Sequence, residues 1–302
     1  MKELEHCILC PRECGVNRMA GELGYCLSDA GYHISSICIH HGEEPAISGT
    51  LGICNIFFSH CNLQCLFCQN YQISRNRKNP NPKPMTLEEV VGTVTGILDQ
   101  GIESVGFVTP THFLPHVKTI IRSLRDKGYH PVTVYNTNGY DKPENIRTLE
   151  GLIDVFLPDL KYAETTLAKN FSDAADYPIA VKKAIREMYR QKGRSVILSE
   201  NGLALNGLVI RHLVLPGQQG DSIDILRWLA EELSPEVFIS LMSQYYPTSC
   251  VSTHPLLGRK VTAAEYNQVV EALHVLGFSN GWIQDPDSAG DFLPDFSSKQ
   301  PF

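Results

Sequence analysis

The sequence has no apolar run approaching the ~20 residues that a membrane-crossing helix needs. It also lacks a basic excess, with 26 Lys and Arg against 33 Asp and Glu and a formal net charge of −7. The first absence leaves no candidate transmembrane segment. The second argues against a nucleic-acid surface, which is normally basic. The opening MKELEHCILC lacks the apolar h-region of a secretory signal, so the expected compartment is the cytoplasm. No internal repeat is present. At 302 residues, 43% of them apolar, the chain can bury one large α/β core or two smaller ones. Cysteine is not scarce. There are ten, and in a chain expected not to be exported they point to metal ligation rather than disulfides.

Three of the ten crowd into SHCNLQCLFCQNY, as Cys61, Cys65 and Cys68, with spacing C-x3-C-x2-C. Thiolates favour soft metals and iron–sulfur clusters. A cubane has four irons, so three ligands leave one iron open to another molecule. A zinc site completed by a histidine, His60 being at hand, is the alternative. Zinc ligands usually come as two separated pairs, whereas these three lie in one loop.

From Gly52 onward, short apolar runs alternate with amphipathic helical patterns. Strands are expected at 53–58, 104–109, 131–136, 155–159, 209–215 and 237–242, with helices near 86–100, 114–127, 143–151, 178–192 and 221–233. Thr86-Leu-Glu-Glu89 is a capping-box pattern, and Thr262-Ala-Ala-Glu265 opens a last helix in the same way. Such alternation implies parallel strands with helical crossovers, as an open doubly wound sheet or as a barrel. In both, loops after the carboxyl ends of strands carry the site, and the cysteine loop follows the first strand. The expected division is a Cys-rich extension over 1–50, a barrel over 51–280, and a tail over 281–302, whose DPDSAGDFLPDFSSKQPF is turn-rich and without its own helix or strand.

Polar residues gather at the other strand ends: Thr111 and His112 after the second, Asn136, Thr137 and Asn138 at the third, Asp159 and Lys161 at the fourth, and His212 beside Arg211 in the fifth. Each could instead be a turn or capping residue. Near the amino end, Cys7, Cys10, Cys14 and Cys26 form C-x2-C-x3-C-x11-C, a candidate zinc knuckle or second iron–sulfur cluster. So short a stretch could not order itself by apolar contacts alone; free or merely buried thiols are the alternative. Cys38, Cys54 and Cys250 are isolated and read as small packed residues. His40, His41, Glu43 and Glu44 are either a second polar cluster or an exposed turn.

The cysteine spacing, with Phe67 before the last cysteine, resembles the signature of the radical S-adenosylmethionine (SAM) superfamily. CPRECGVNR, EEP, CNLQCLFCQNY, TPTH, YNTNGYD, LPDLKY, IRHLVLPG and LMSQYYP, in that order, look most like its pyruvate formate-lyase activating enzyme-like subgroup. The resemblance covers nearly the whole chain and implies an α/β partial (β/α)6 barrel of the TIM type. It implies a [4Fe–4S] cluster on Cys61, Cys65 and Cys68, whose open iron is chelated by SAM, with Phe67 near the adenine. Asn70 lies in a CQN similar to the Cys-His-Asn of the activating enzymes. Thr137, Asp159 and Lys161 match residues around the SAM carboxylate and a monovalent-cation site. Asn136 stands where an aspartate is usual, and His212 is a further SAM contact. Thr109–His112 replaces the usual Gly-Gly-Glu-Pro, leaving Thr111 or His112 to meet the SAM amino group. The implied reaction is reductive cleavage of SAM to a 5′-deoxyadenosyl radical, with electrons from flavodoxin or ferredoxin. That radical abstracts hydrogen from a glycine of a glycyl-radical enzyme or from another peptide or small molecule. The contrasting expectation is a non-catalytic iron–sulfur or zinc protein that carries electrons or serves as a scaffold.

Overall fold

A computed structural model describes residues 1–77, 81–286, 288, 293–298 and 300–302. In chain order its elements are β1 (Ile34–His40), α1 (Pro45–Ser48), β2 (Ile53–Phe58), α2 (Tyr71–Ser74), α3 (Leu87–Leu98), β3 (Ser104–Val108), α4 (Leu114–Asp126), β4 (Val132–Thr137), α5 (Pro143–Arg147), β5 (Val155–Pro158), α6 (Thr165–Ser172), α7 (Tyr177–Lys192), β6 (Ile197–Leu198), β7 (Ala204–Leu213), α8 (Gln219–Glu232), β8 (Phe238–Met242), α9 (Ala263–Val275) and β9 (Gly281–Ile283).

Strand order decides the architecture. The sheet runs β1-β2-β3-β4-β5-β7-β8-β9, and β2 through β9 pair in parallel along this path, with short β6 antiparallel on β7. A doubly wound sheet reverses its order at a switch point. This one never does. Right-handed crossovers that always step the same way put the helices on one side and curl the sheet. The result is the partial α/β barrel. Its central strands are buried on both faces: all six residues of β2 and all five of β3 are buried.

The helices attach by apolar stripes. Val117, Ile120, Ile121 and Leu124 of α4 recur at helical spacing and are buried. Val90, Val91, Val94 and Leu98 do the same in α3. Both capping boxes form, with Thr86 and Thr262 each accepting from the amide three residues on.

Several expectations need correction. Residues 1–50 are not all irregular. β1 pairs antiparallel with β2 from Ile34 to His40 and covers the edge that the first parallel strand would otherwise expose. Its residues are only partly apolar, ISSICIH, so no strong strand pattern is visible. β9, at 281–283, adds a strand inside the segment assigned to the tail. Of that tail, residues 287, 289–292 and 299 lie outside the described residues. The helix near 143–151 is a short α5 ending at Arg147, and α6 was not anticipated.

Candidate active site

The carboxyl ends of the parallel strands converge on one cavity of about 200 Å³. β2 delivers the cysteine loop, β3 Val108 and Thr109, β4 Asn136 and Asn138, β5 Asp159 and Lys161, β7 Arg211, and β8 Met242 and Gln244. Cys61, Cys65, Cys68, Phe67 and Asn70 all line it.

The loop is held rigidly before any ligand is considered. Asn76 clamps Cys61 by accepting from its amide at 3.0 Å and donating to its carbonyl at 2.9 Å. The amides of Gln64 and Leu66 donate to the carbonyls of Ser172 and Phe171 in α6. Each sulfur accepts a hydrogen bond. Cys61 Sγ accepts from Asn138 Nδ2 and from the Leu63 amide, both at 3.3 Å. Cys65 Sγ accepts from Ser172 Oγ at 3.0 Å and Cys68 Sγ from Ser74 Oγ at 3.2 Å. Burial, with repulsion from Cys65, pushes the Cys61 and Cys68 thiols up. Bound metal would reverse that shift, because a coordinating thiol is deprotonated.

Three thiols on one wall, each aimed at by an N–H or O–H donor, suit an iron–sulfur cluster. The cubane's thiolates bind different irons and stand wider apart than ligands of one ion. Among the described residues no three His, Cys, Asp or Glu side chains are gathered as ligands of a single ion. A zinc site completed by His60 is therefore not assembled; His60 Nδ1 instead faces the Cys26 carbonyl at 3.0 Å.

Opposite the sulfurs lies a charged network. Lys161 Nζ donates to Asp159 Oδ2 at 2.6 Å, and Arg211 Nε to Asp159 Oδ1 at 2.8 Å. Arg211 also reaches Glu43 Oε2 at 3.1 Å and Asn136 Oδ1 at 2.7 Å, while Asn136 Nδ2 donates to Glu43 Oε1 at 2.9 Å. Burial works to raise the Asp159 pKa, yet Arg211 and Lys161 together hold it below the usual carboxylate range. Burial, with repulsion from neighbouring Glu43, lifts the Glu44 pKa above its ordinary value.

Not every expected residue reaches the cavity. Thr137 Oγ1 donates to Asp141 and lies 3.3 Å from Thr111 Oγ1, both buried behind the wall. Both Asp159 oxygens are taken by cations. The expected cation site on Thr137 and Asp159 is thus not assembled. His112 turns away to the Ser59 carbonyl at 3.0 Å, and burial lowers its pKa to about 3. His212 is occupied at both nitrogens, by the Leu160 carbonyl at 2.6 Å and Ser222 Oγ at 2.8 Å. Side chains alternate along a strand, so within β7 it is Arg211 that faces the cavity and His212 that faces α8. Glu43, His40 and Arg211 are among the lining residues that the sequence motifs do not single out as site residues. Position in the EEP turn gave no indication that Glu43 reaches across to Asn136. The glycine of the TNG turn has a local cause. Gly139 has φ +80°, and a Cβ there would fall 2.3 Å from the Asp159 carbonyl oxygen.

A model of the radical SAM superfamily matches residues 55–229. The chain belongs to this superfamily. An uncharacterised protein of Methanocaldococcus jannaschii is 28% identical over 274 residues, spanning 88% of this chain and 74% of the relative. A second uncharacterised protein from the same organism is 28% identical over 169 residues, 51% of this chain and 49% of its own. Among solved structures, a domain of pyruvate-formate lyase-activating enzyme from Bacteroides vulgatus aligns over 57% of this chain and 93% of its own, at 17% identity and a TM-score of 0.40. Streptococcus suis SuiB bound to S-adenosylmethionine aligns over 75% of this chain and 48% of its own, at 12% identity and a TM-score of 0.49. Superfamily membership gives SAM-cleaving radical chemistry on a [4Fe–4S] cluster. Among the described residues no helix is long and apolar enough to cross a membrane.

Proposed function

We propose that this chain activates a protein substrate by removing hydrogen from a glycine Cα, using electrons from a flavodoxin- or ferredoxin-type donor. The observation that carries the catalytic part is that three hydrogen-bonded thiols and a balanced charged network face each other across one cavity at the strand ends. When bound there, the cluster and SAM would supply an electron and then a 5′-deoxyadenosyl radical.

The chain's own residues do the positioning. Cys61, Cys65 and Cys68 hold the cluster, and the Ser172, Ser74, Asn138 and Leu63 donors spread its negative charge. Arg211 and Lys161 are the cations available to a SAM carboxylate, and Glu43 is the carboxylate available to its amino group. Thr111 and His112 leave that role empty because neither lines the cavity. Phe67 offers a ring, packed 5.8 Å from that of Tyr245, against which an adenine can rest. Apolar Phe57, Val108 and Met242 limit water around the reacting atoms. The glycine substrate is supported by the ordered motifs from CPRECGVNR to LMSQYYP.

Anaerobically reconstituted protein, reduced in the presence of SAM, should release 5′-deoxyadenosine, and a Cys61/Cys65/Cys68→Ala variant should not. With a co-expressed glycyl-radical enzyme a glycyl signal should appear in the electron paramagnetic resonance spectrum. Release of 5′-deoxyadenosine with persistent absence of that signal would remove the substrate claim and leave the chemistry.

A further inference from the structure

Behind the active-site loop the chain encloses a second, separate space. It is small, about 10 Å³, and its walls include Cys7, Cys10, Cys14 and Cys26. The fold brings these four together from a stretch with almost no regular structure. Tyr25 N–H donates to Cys14 Sγ at 3.3 Å, and Gly24 lies so close that a Cβ there would sit 2.9 Å from the same sulfur.

Two cations, Arg18 and Arg12, face these sulfurs; the nearby Asp29 carboxylate that Arg18 influences is already held by His33 and the Gly31 amide. Arg18 is only 1% exposed. Its guanidinium donates to the Asp29 carbonyl at 2.8 and 3.1 Å, to the His112 carbonyl at 2.6 Å, and toward Cys7 Sγ at 3.9 Å. No described carboxylate pairs with it. Arg12 stacks on Tyr25 at 3.8 Å and donates through Nε to the Asn62 carbonyl, while its buried Nη2 has no partner. His112, 1% exposed, lines the same space with Nδ1 also unpartnered. A buried charge without a counter-ion is strongly unfavourable, and orphaned buried nitrogens ask for an explanation.

We propose that Cys7, Cys10, Cys14 and Cys26 are the ligands of a second metal centre, a tetrathiolate of zinc or of an iron–sulfur cluster. Four thiolates around Zn²⁺, or around a cubane core of formal charge about +2, both leave a net charge near −2. Arg18 and Arg12 are the matching counter-ions, which accounts for a buried and a half-buried guanidinium that make no ion pair with a described carboxylate. Among the described residues no three of these sulfurs already stand as ligands of one ion, so loading the centre draws the four cysteine side chains inward around it. The centre also braces the catalytic loop, since the Cys26 carbonyl faces His60 and Arg12 holds Asn62, the residues on either side of Cys61.

The test uses the full-length Cys61/Cys65/Cys68→Ala variant, which leaves this site intact, purified without oxygen and assayed for iron, sulfide and zinc. The proposal expects retained metal: about four irons with sulfide for a cubane, or about one zinc per chain. Adding Cys10→Ser and Cys14→Ser should release it. In the otherwise wild-type chain, Cys14→Ser should lower total metal by the same amount while the active-site cluster remains visible by electron paramagnetic resonance. A triple variant with native circular dichroism that stays metal-free after separate reconstitution with zinc and with iron and sulfide would overturn the proposal. So would unchanged total metal in Cys14→Ser, which settles the matter if the triple variant does not fold. Loss of 5′-deoxyadenosine formation bears only on the catalytic site.

Discussion

Asn136 shows why a single atom matters in the cavity wall. Its Oδ1 accepts from Arg211 while its Nδ2 donates to Glu43, so the amide joins a cation to an anion. The aspartate implied by resemblance could serve Arg211 but not Glu43. Asn136→Asp should therefore cost roughly 1–3 kcal/mol in urea unfolding, the usual consequence of an unmet buried polar group; unchanged stability would show the bridge to be idle. Arg211→Met should cost more, about 3–5 kcal/mol, because it strands the buried Glu43 and leaves Asp159 with Lys161 alone. On the other wall, Ser172→Ala and Ser74→Ala remove the hydroxyls that donate to Cys65 and Cys68. Each should shift the cluster midpoint to lower potential in anaerobic redox titration, since donors to sulfur stabilise the more negative reduced state.

At the level of elements, the sequence was informative wherever a run was wholly apolar or strongly periodic. β2, β3, α3 and α4 are legible because their burial is written locally, and α3 adds a capping box. β1 was not, because its value lies in covering an edge and its ISSICIH pattern carries two serines. The same division runs through the site. The cysteine loop, Asp159 and Lys161 come from contiguous motifs, and each reaches the cavity. Arg211 and His212 are adjacent in β7, and only the strand's alternation in three dimensions separates the one that faces the cavity from the one that packs on α8. Glu43 depends on a contact 93 residues away in sequence, which no local pattern encodes.

For the whole molecule, buried neutral histidines set the response to acid. Burial lowers His212 and His116 each to about 4, well under the ordinary value. The unfolded chain then binds protons below pH ~6.5 that the folded chain refuses until about pH 4. Stability is thus present above pH 6.5 and lost as pH falls through that window, by about 1.4 kcal/mol per unit for each such group. Urea midpoints measured between pH 7 and 4.5 should fall steadily; a flat profile would mean that these rings take up protons without unfolding. Asp159 adds a second loss at lower pH. Its depressed pKa keeps its contribution intact above the unfolded value near 3.9 and removes it below. The central claim, that three thiols hold a cluster whose remaining iron takes SAM, is tested most directly by electron paramagnetic resonance of the reduced protein with and without SAM. The account predicts a reduced-cluster signal that changes on SAM addition and is absent from the Cys61/Cys65/Cys68→Ala variant. A signal unaltered by saturating SAM, or one that survives loss of the three cysteines unchanged, would contradict it.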